Sequence, residues 1–183
     1  MTIPAAGVLL IADPFLKDPN FMRTVVVLTE HDDAGTVGFV LNRQYENTLD
    51  ELVPEIDGYK IPVYFGGPVQ PNTIHFLHNR PELIEGGVEI MSGVYWGGDF
   101  EAVMEHLKDG TLDVADIRFF IGYSGWSGGQ LDGEMEEKTW LTVEATADLI
   151  FHPNAEEVWK DSIKRLGGEY EMMINFPIDP QLN

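Results

Sequence analysis

The apolar positions of this chain fall first into short unbroken runs and only later into helical spacing. Residues 7–12, Gly7-Val8-Leu9-Leu10-Ile11-Ala12, form a continuous apolar run with turn residues behind it, which predicts a buried strand. A loop with two prolines fills 13–20. Residues 24–29 predict a second strand, 32–35 a turn and 36–42 the return, a β-hairpin with a four- or five-residue loop. A short helix is predicted at 48–53, with Asn47 or Thr48 as N-cap and Pro54 as its stop. Residues 61–65 and 73–77 predict strands joined through a Gly-Gly-Pro segment, and 88–91 a further one. Phe100, Val103, Met104 and Leu107 then recur at helical spacing, with Asp99 as cap and Gly110 behind, giving a helix over 99–108.

Residues 117–122 predict a strand that opens into a glycine-dense loop, 124–129, and 140–143 predict another strand. The last helix is predicted over 155–166, with Asn154 as N-cap, Glu157 completing a capping box and Gly167 ending it. Strands come early, the firmest helices late, and no regular βαβ alternation appears, so the fold class is α+β. Five Gly-Gly pairs are irregularly spaced and read as turns. With no linker or repeat, one domain over 1–183 is expected.

Composition narrows the function. At 183 residues and 44% hydrophobic, the chain is long enough to bury its own core without a metal or disulfide staple. It has no cysteine, which excludes thiol catalysis, cysteine-ligated zinc and iron–sulfur clusters. Eleven Lys and Arg against 31 Asp and Glu give a net charge of −20. Nucleic-acid affinity rests on basic side chains releasing counterions, and the densest basic pair here is Lys164-Arg165. Direct DNA or anionic-membrane binding is therefore not expected. The apolar run 5–12 has no basic residue before it, and no stretch approaches the ~20 apolar residues that span a bilayer, so a cytoplasmic location is expected.

Candidate chemistry is sparse. Gly122-Tyr123-Ser124-Gly125-Trp126 is close to a nucleophile elbow, yet Trp126 fills the position where that sharp turn needs glycine. No dinucleotide or P-loop fingerprint occurs, and no cofactor is expected. His75 and His78 would face opposite sides of a strand, so they do not converge on a metal, and none is expected. His31 reads as part of an exposed hairpin tip, and Glu134, Glu136 and Glu137 as a solvated face. Arg43, after Asn42, is one of few cations and could hold a carboxylate or phosphate through paired hydrogen bonds.

Taken in order, these motifs resemble the YqgE/AlgH family. The resemblance is carried by Leu9-Leu10-Ile11-Ala12 with Pro14, Arg23-Thr24-Val25-Val26, Glu30-His31 and Leu41-Asn42-Arg43. It continues through Gly66-Gly67-Pro68-Val69, Leu77-His78, Gly122-Tyr123-Ser124-Gly125-Trp126 and Gly129-Gln130-Leu131 with Glu134, and covers essentially the whole chain. The chain departs from the family pattern at Gln44, where proline is usual, and at Thr36, where alanine is usual. The resemblance implies a bacterial cytoplasmic protein whose bifurcated, strongly bent sheet forms a pseudo-barrel with flanking helices. It also carries a transcriptional-regulator label from alginate production, for which this sequence supplies no DNA-reading element.

Two functions remain open. One is a regulatory or accessory module that binds a protein partner or a small anionic ligand. The other is an enzyme acting on a small anionic metabolite in a cleft walled by residues 122–130. The missing nucleophile–base motif favours binding. Candidate contacts are Asn42, Arg43, Gly66, Gly67, His78, Tyr123, Ser124, Gly125, Trp126 and Gln130. If Arg43, His78 and the glycine loop share one cleft, the ligand and enzyme readings gain; if they are dispersed, the interaction reading gains. The competing account is that Tyr123 and Trp126 plug the core beneath a turn.

Overall fold

The computed structural model describes residues 1–19 and 21–175. The apolar runs become strands of one curled sheet, an antiparallel half-barrel with helices around it. Its strands are β1 (Val8–Ala12), β2 (Val25–Asp32), β3 (Gly35–Val40), β4 (Gln44–Thr48), β5 (Pro62–Phe65), β6 (Val69–His78), β7 (Val88–Met91), β8 (Val94–Trp96), β9 (Ile117–Ser127) and β10 (Trp140–Glu144). The main path runs β10-β1-β2-β3-β9-β6-β8-β7, with every neighbour antiparallel. A branch leaves it at β9, which pairs in parallel with β5, and β5 with β4. No helix among the described residues is long and apolar enough to cross a membrane.

Burial explains the runs. Leu9 and Ile11 of β1 enter one apolar cluster with Val25, Val27 and Trp159, while Leu10 and Ala12 enter another with Val26, Leu28 and Trp126. A strand covered on both faces has no polar alternation to show. The hairpin β2–β3 is tighter than expected: Asp32 pairs with Gly35, leaving only Asp33 and Ala34 at the turn.

Helices follow the local signals, with corrections. The short helix α1 (Leu49–Leu52) is capped at Thr48, whose N–H donates to Glu51 at 3.4 Å. In α2 (Phe100–Asp109), Asp99 accepts from the N–H groups of Glu101 and Ala102, Gly110 closes the end at φ 80°, and Val103, Met104 and Leu107 are buried. Gln130–Glu136 is a further helix, α3, not expected because three glycines crowd its start and middle. After α4 (Ala147–Ile150), the expected helix over 155–166 opens as a 3-10 turn and becomes α5 only at Val158–Leu166. Asn154 caps the N–H of Glu156 there. The last helix is α6 (Glu169–Met172).

One correction bears on the site. The stretch 124–129 is not an open loop, since β9 continues as a strand to Ser127. The joined strands β5 and β6 both pair with β9, one parallel and one antiparallel. The sheet divides there. The first part of β9 pairs with β5 at Phe119–Ile121, and its last part pairs with β3 at Ser124–Ser127.

Candidate functional site

Two glycines of the candidate set, Gly66 and Gly67, sit with Gly122 where the sheet divides. Gly122 turns β9 at φ 67°, between its β5-paired and β3-paired parts. A Cβ on Gly122 would stand 2.3 Å from the Gly67 carbonyl oxygen, one on Gly67 2.2 Å from the Tyr123 carbonyl, and one on Gly66 2.5 Å from the Gly122 oxygen. Only bare backbone fits at such distances. The Gly66 N–H donates to Ile121, while its carbonyl accepts from the Val40 N–H at 2.9 Å and from the Ser124 hydroxyl at 3.0 Å. Gly66 thus links β3 to β9 at the fork. Ser124 is buried with its hydroxyl donated to the backbone, which removes it as a nucleophile.

Asn42 and Arg43 fasten the preceding loop instead of facing a ligand. The Asn42 amide donates to the Arg23 carbonyl at 2.9 Å and accepts from the Val25 N–H at 3.0 Å. Arg43 donates to the carbonyl of Pro19 at 3.0 Å. Burial lowers its guanidinium pKa, and nearby Asp18 opposes that.

His78 is fully buried at the far end of β6. Its ring stacks on Tyr95, Nε2 lies 3.0 Å from the Gly97 carbonyl, and Nδ1 accepts from the Arg80 N–H at 3.2 Å. Because His78 pairs with Ile117, it lies roughly 23 Å along β9 from Ser124, at ~3.3 Å per residue. His78 therefore does not join the segment 122–130 in the expected shared cleft, whereas the Arg43 carbonyl accepts from the Phe65 N–H at 2.7 Å, one residue before the fork.

Two hollows do meet at Gly125 and Trp126. The larger, about 380 Å³, crosses three strands in register, with Glu30 opposite Val37 and Val37 opposite Gly125. Gly35 and Gly125 place no side chain on the sheet there, and Tyr123, Val69, Glu30 and Asp32 rim the depression. A Cβ on Gly125 would touch nothing closer than 3.6 Å, so this glycine, unlike those of the fork, is not required by packing. His31 is no free hairpin tip: its Nδ1 lies 2.6 Å from the hydroxyl of Thr36, a bond that alanine at 36 could not make.

The second hollow, about 270 Å³, is lined by Leu16, Phe21, Trp126, Gln130, Glu134 and Trp140, among others. Glu134 is no solvated carboxylate. One of its oxygens accepts from the indole N–H of Trp126 at 3.2 Å and of Trp140 at 2.9 Å, and the other from Gln130 at 3.1 Å. Gln130 also accepts from the Ser127 N–H at 3.0 Å. Trp126 itself is 6% exposed, within the cluster of Leu10, Val26 and Trp140. The core-plug account holds for Trp126, while Tyr123 keeps one face toward the larger hollow.

Sequence reasoning passed over Arg118, a lone cation inside the apolar run of β9. It is 8% exposed, lies over the Tyr64 ring at 4.3 Å and donates to the His152 carbonyl. Burial lowers its pKa, although a guanidinium stays protonated. A charge interrupting a buried strand was the available signal. Among the described residues, no three His, Asp or Glu side chains gather as a metal-binding group.

Comparison with known proteins places the whole architecture. A family model described as AlgH-like (DUF179) matches residues 9–171. A UPF0301 protein of Chlorobium luteolum is 46% identical over 98% of this chain and 95% of its own length. One from Chlorobium phaeobacteroides is 44% identical over 97% and 95%. Among solved structures, a Corynebacterium diphtheriae protein superposes with TM-score 0.81 at 22% identity, covering 96% of this chain and 94% of its own. The solution structure of AlgH from Pseudomonas aeruginosa gives TM-score 0.75 at 27% identity, covering 97% and 99%.

Proposed function

The chain belongs to the AlgH-like family, and from that premise we propose that it is a regulatory or accessory module that works by binding a protein partner. The observation that carries this reading is the hollow across β2, β3 and β9. It is concave and partly aromatic, and its charged lining residues are the carboxylates Glu30 and Asp32. Such a lining disfavours the anionic small molecule considered from sequence and favours a polypeptide segment presenting Lys or Arg. The net charge of −20 adds long-range attraction for a basic partner. In this reading any transcriptional role passes through that partner, with no direct contact to DNA and no membrane association, and the protein works in the cytoplasm.

The enzyme reading loses its support from geometry. Its serine and histidine are buried and engaged with backbone, and its arginine is committed to a loop. Function then rests on recognition by a surface.

Charge placed on either side of the hollow tests the proposal. Glu30→Lys and Gly125→Lys should leave melting within a few degrees of wild type, because Glu30 is exposed and Gly125 has room for a side chain. Both should abolish in-cell photocrosslinks from Val37 to the partner, while Glu105→Lys on α2 should preserve them. Crosslinks that survive both hollow variants would contradict the reading.

A further inference from the structure

Up to Tyr123, β9 carries β6 along one side. From Ser124 to Ser127 it pairs with β3 on the other side, and no strand among the described residues takes the side that β6 has left. In an antiparallel ladder alternate residues turn both N–H and C=O to the same side. The Ser127 N–H does not enter the β3 ladder but donates to the side chain of Gln130 at 3.0 Å. Gly125, two residues earlier, therefore turns its N–H and C=O to the open side as well. Both residues are exposed.

An unpaired strand edge is a template for a further strand. Successive side chains of a strand point to opposite faces. Tyr123 and Gly125 share the face of the 380 Å³ hollow, whereas the Trp126 side chain packs with Leu10 and Leu131 on the face of the 270 Å³ one. Gly125 lines both hollows. A strand laid along it sends its side chains alternately to one hollow and the other. The charged lining residues are carboxylates on both faces, Glu30 and Asp32 on the first, Asp18 and Glu134 on the second. A segment with basic residues at adjacent positions complements both. A helical segment offers the edge nothing, because its N–H groups are bonded internally.

We propose that the partner binds by strand addition, a mode that rests on the larger hollow being the partner's surface. An extended segment with Lys or Arg at adjacent positions pairs with Gly125 along the open side of β9. Its basic side chains divide between the two hollows, so the second hollow belongs to the same interface as the first.

The probe is the peptide acetyl-Lys-Arg-Val-Lys-Arg-Val-amide, titrated into the full chain and followed by NMR. Saturable shifts and slowed amide hydrogen exchange are expected at Gly125, with NOEs from the peptide Hα protons to the β9 backbone. Gly125→Pro removes the open-side N–H and leaves the β3 ladder its bonds, at a position with room for a side chain. It should weaken binding at least about tenfold, while Gly125→Ala, which keeps the N–H, should bind within about twofold of wild type. Glu30→Lys should weaken binding whether or not a strand is added. Loss with Glu30→Lys but not with Gly125→Pro would overturn strand addition and spare the acidic surface, and no effect from either would overturn both. If Gly125→Pro folds poorly, a peptide N-methylated at its two central residues, with its charge unchanged, decides in the same way. No saturation up to about 10 mM would overturn the proposal. So would slow exchange at Gly125 that grows with protein concentration in the absence of peptide, since a second copy would then hold the edge.

Discussion

The Ser124 hydroxyl donates a 3.0 Å hydrogen bond to the carbonyl oxygen of Gly66, 58 positions earlier in the chain. Two motifs that read in sequence as candidate ligand contacts are thereby partners of each other. Gly66-Gly67 and Gly122-Tyr123-Ser124 form the junction at which the sheet divides, and their glycines answer to backbone approach. The surface proposed to receive the partner lies beside this junction, where Gly125 leaves the sheet bare.

Glu134 ties two buried tryptophans to α3 through a single carboxylate oxygen. Glu134→Ala leaves both indole N–H groups without that acceptor in surroundings that hold Trp140 at 2% exposure. An unmet buried donor costs about 1–3 kcal/mol, so a loss of about 2 kcal/mol is expected in urea unfolding, with a change in tryptophan emission. A double-mutant cycle with Trp140→Phe should show coupling near 1 kcal/mol. Zero coupling would remove the bridge from the account.

His78 should resist protonation. Its Nε2 meets a carbonyl and its Nδ1 accepts a backbone N–H, so the neutral ring satisfies both contacts and a second proton on Nδ1 would face the Arg80 N–H. Burial is the main cause lowering its pKa, partly opposed by the Gly97 carbonyl and Glu82, and burial also lowers that of His75. With the folded pKa below the unfolded value of about 6.5, the unfolded chain binds more protons as pH falls through that value. Stability contributed by these rings is full above that pH and declines below it, down to their folded pKa. Ring carbon shifts of His78 followed by NMR should show a midpoint below pH 6.5. A midpoint at or above 6.5 would contradict this placement.

Much of the fold is legible in the chain. The runs that build β1 and β2 announce themselves because both faces are covered, and α2 carries its cap, period and terminal glycine together. Other elements give little local signal. The strand β8 is only Val94–Trp96, and α3 hides behind Gly128, Gly129 and Gly133. The candidate site is less legible for a physical reason. Glycine reads alike whether its missing side chain admits a ligand or a neighbouring backbone, and only the distances around Gly67 and Gly125 separate the two. Asn42, Arg43 and His78 read as polar groups near loops, but each is taken up by a carbonyl that sequence does not place beside it. Arg118 stands out only once it is known to be buried with no ion pair among the described residues.

The most direct test of the fork is the melting temperature of Gly122→Ala against Gly133→Ala. At Gly122 the added carbon meets the Gly67 carbonyl at 2.3 Å and the backbone stays at φ 67°, whereas Gly133 lies exposed in α3 with open space around it. Strain and overpacking together should cost Gly122→Ala about 3 kcal/mol or more, which is about 6–12 °C for a chain of this size. Gly133→Ala should gain about 0.5–1 kcal/mol and melt slightly higher than wild type. A Gly122→Ala protein that melts within about 2 °C of wild type would contradict the account, because the glycines would then be free of the junction and open to a ligand.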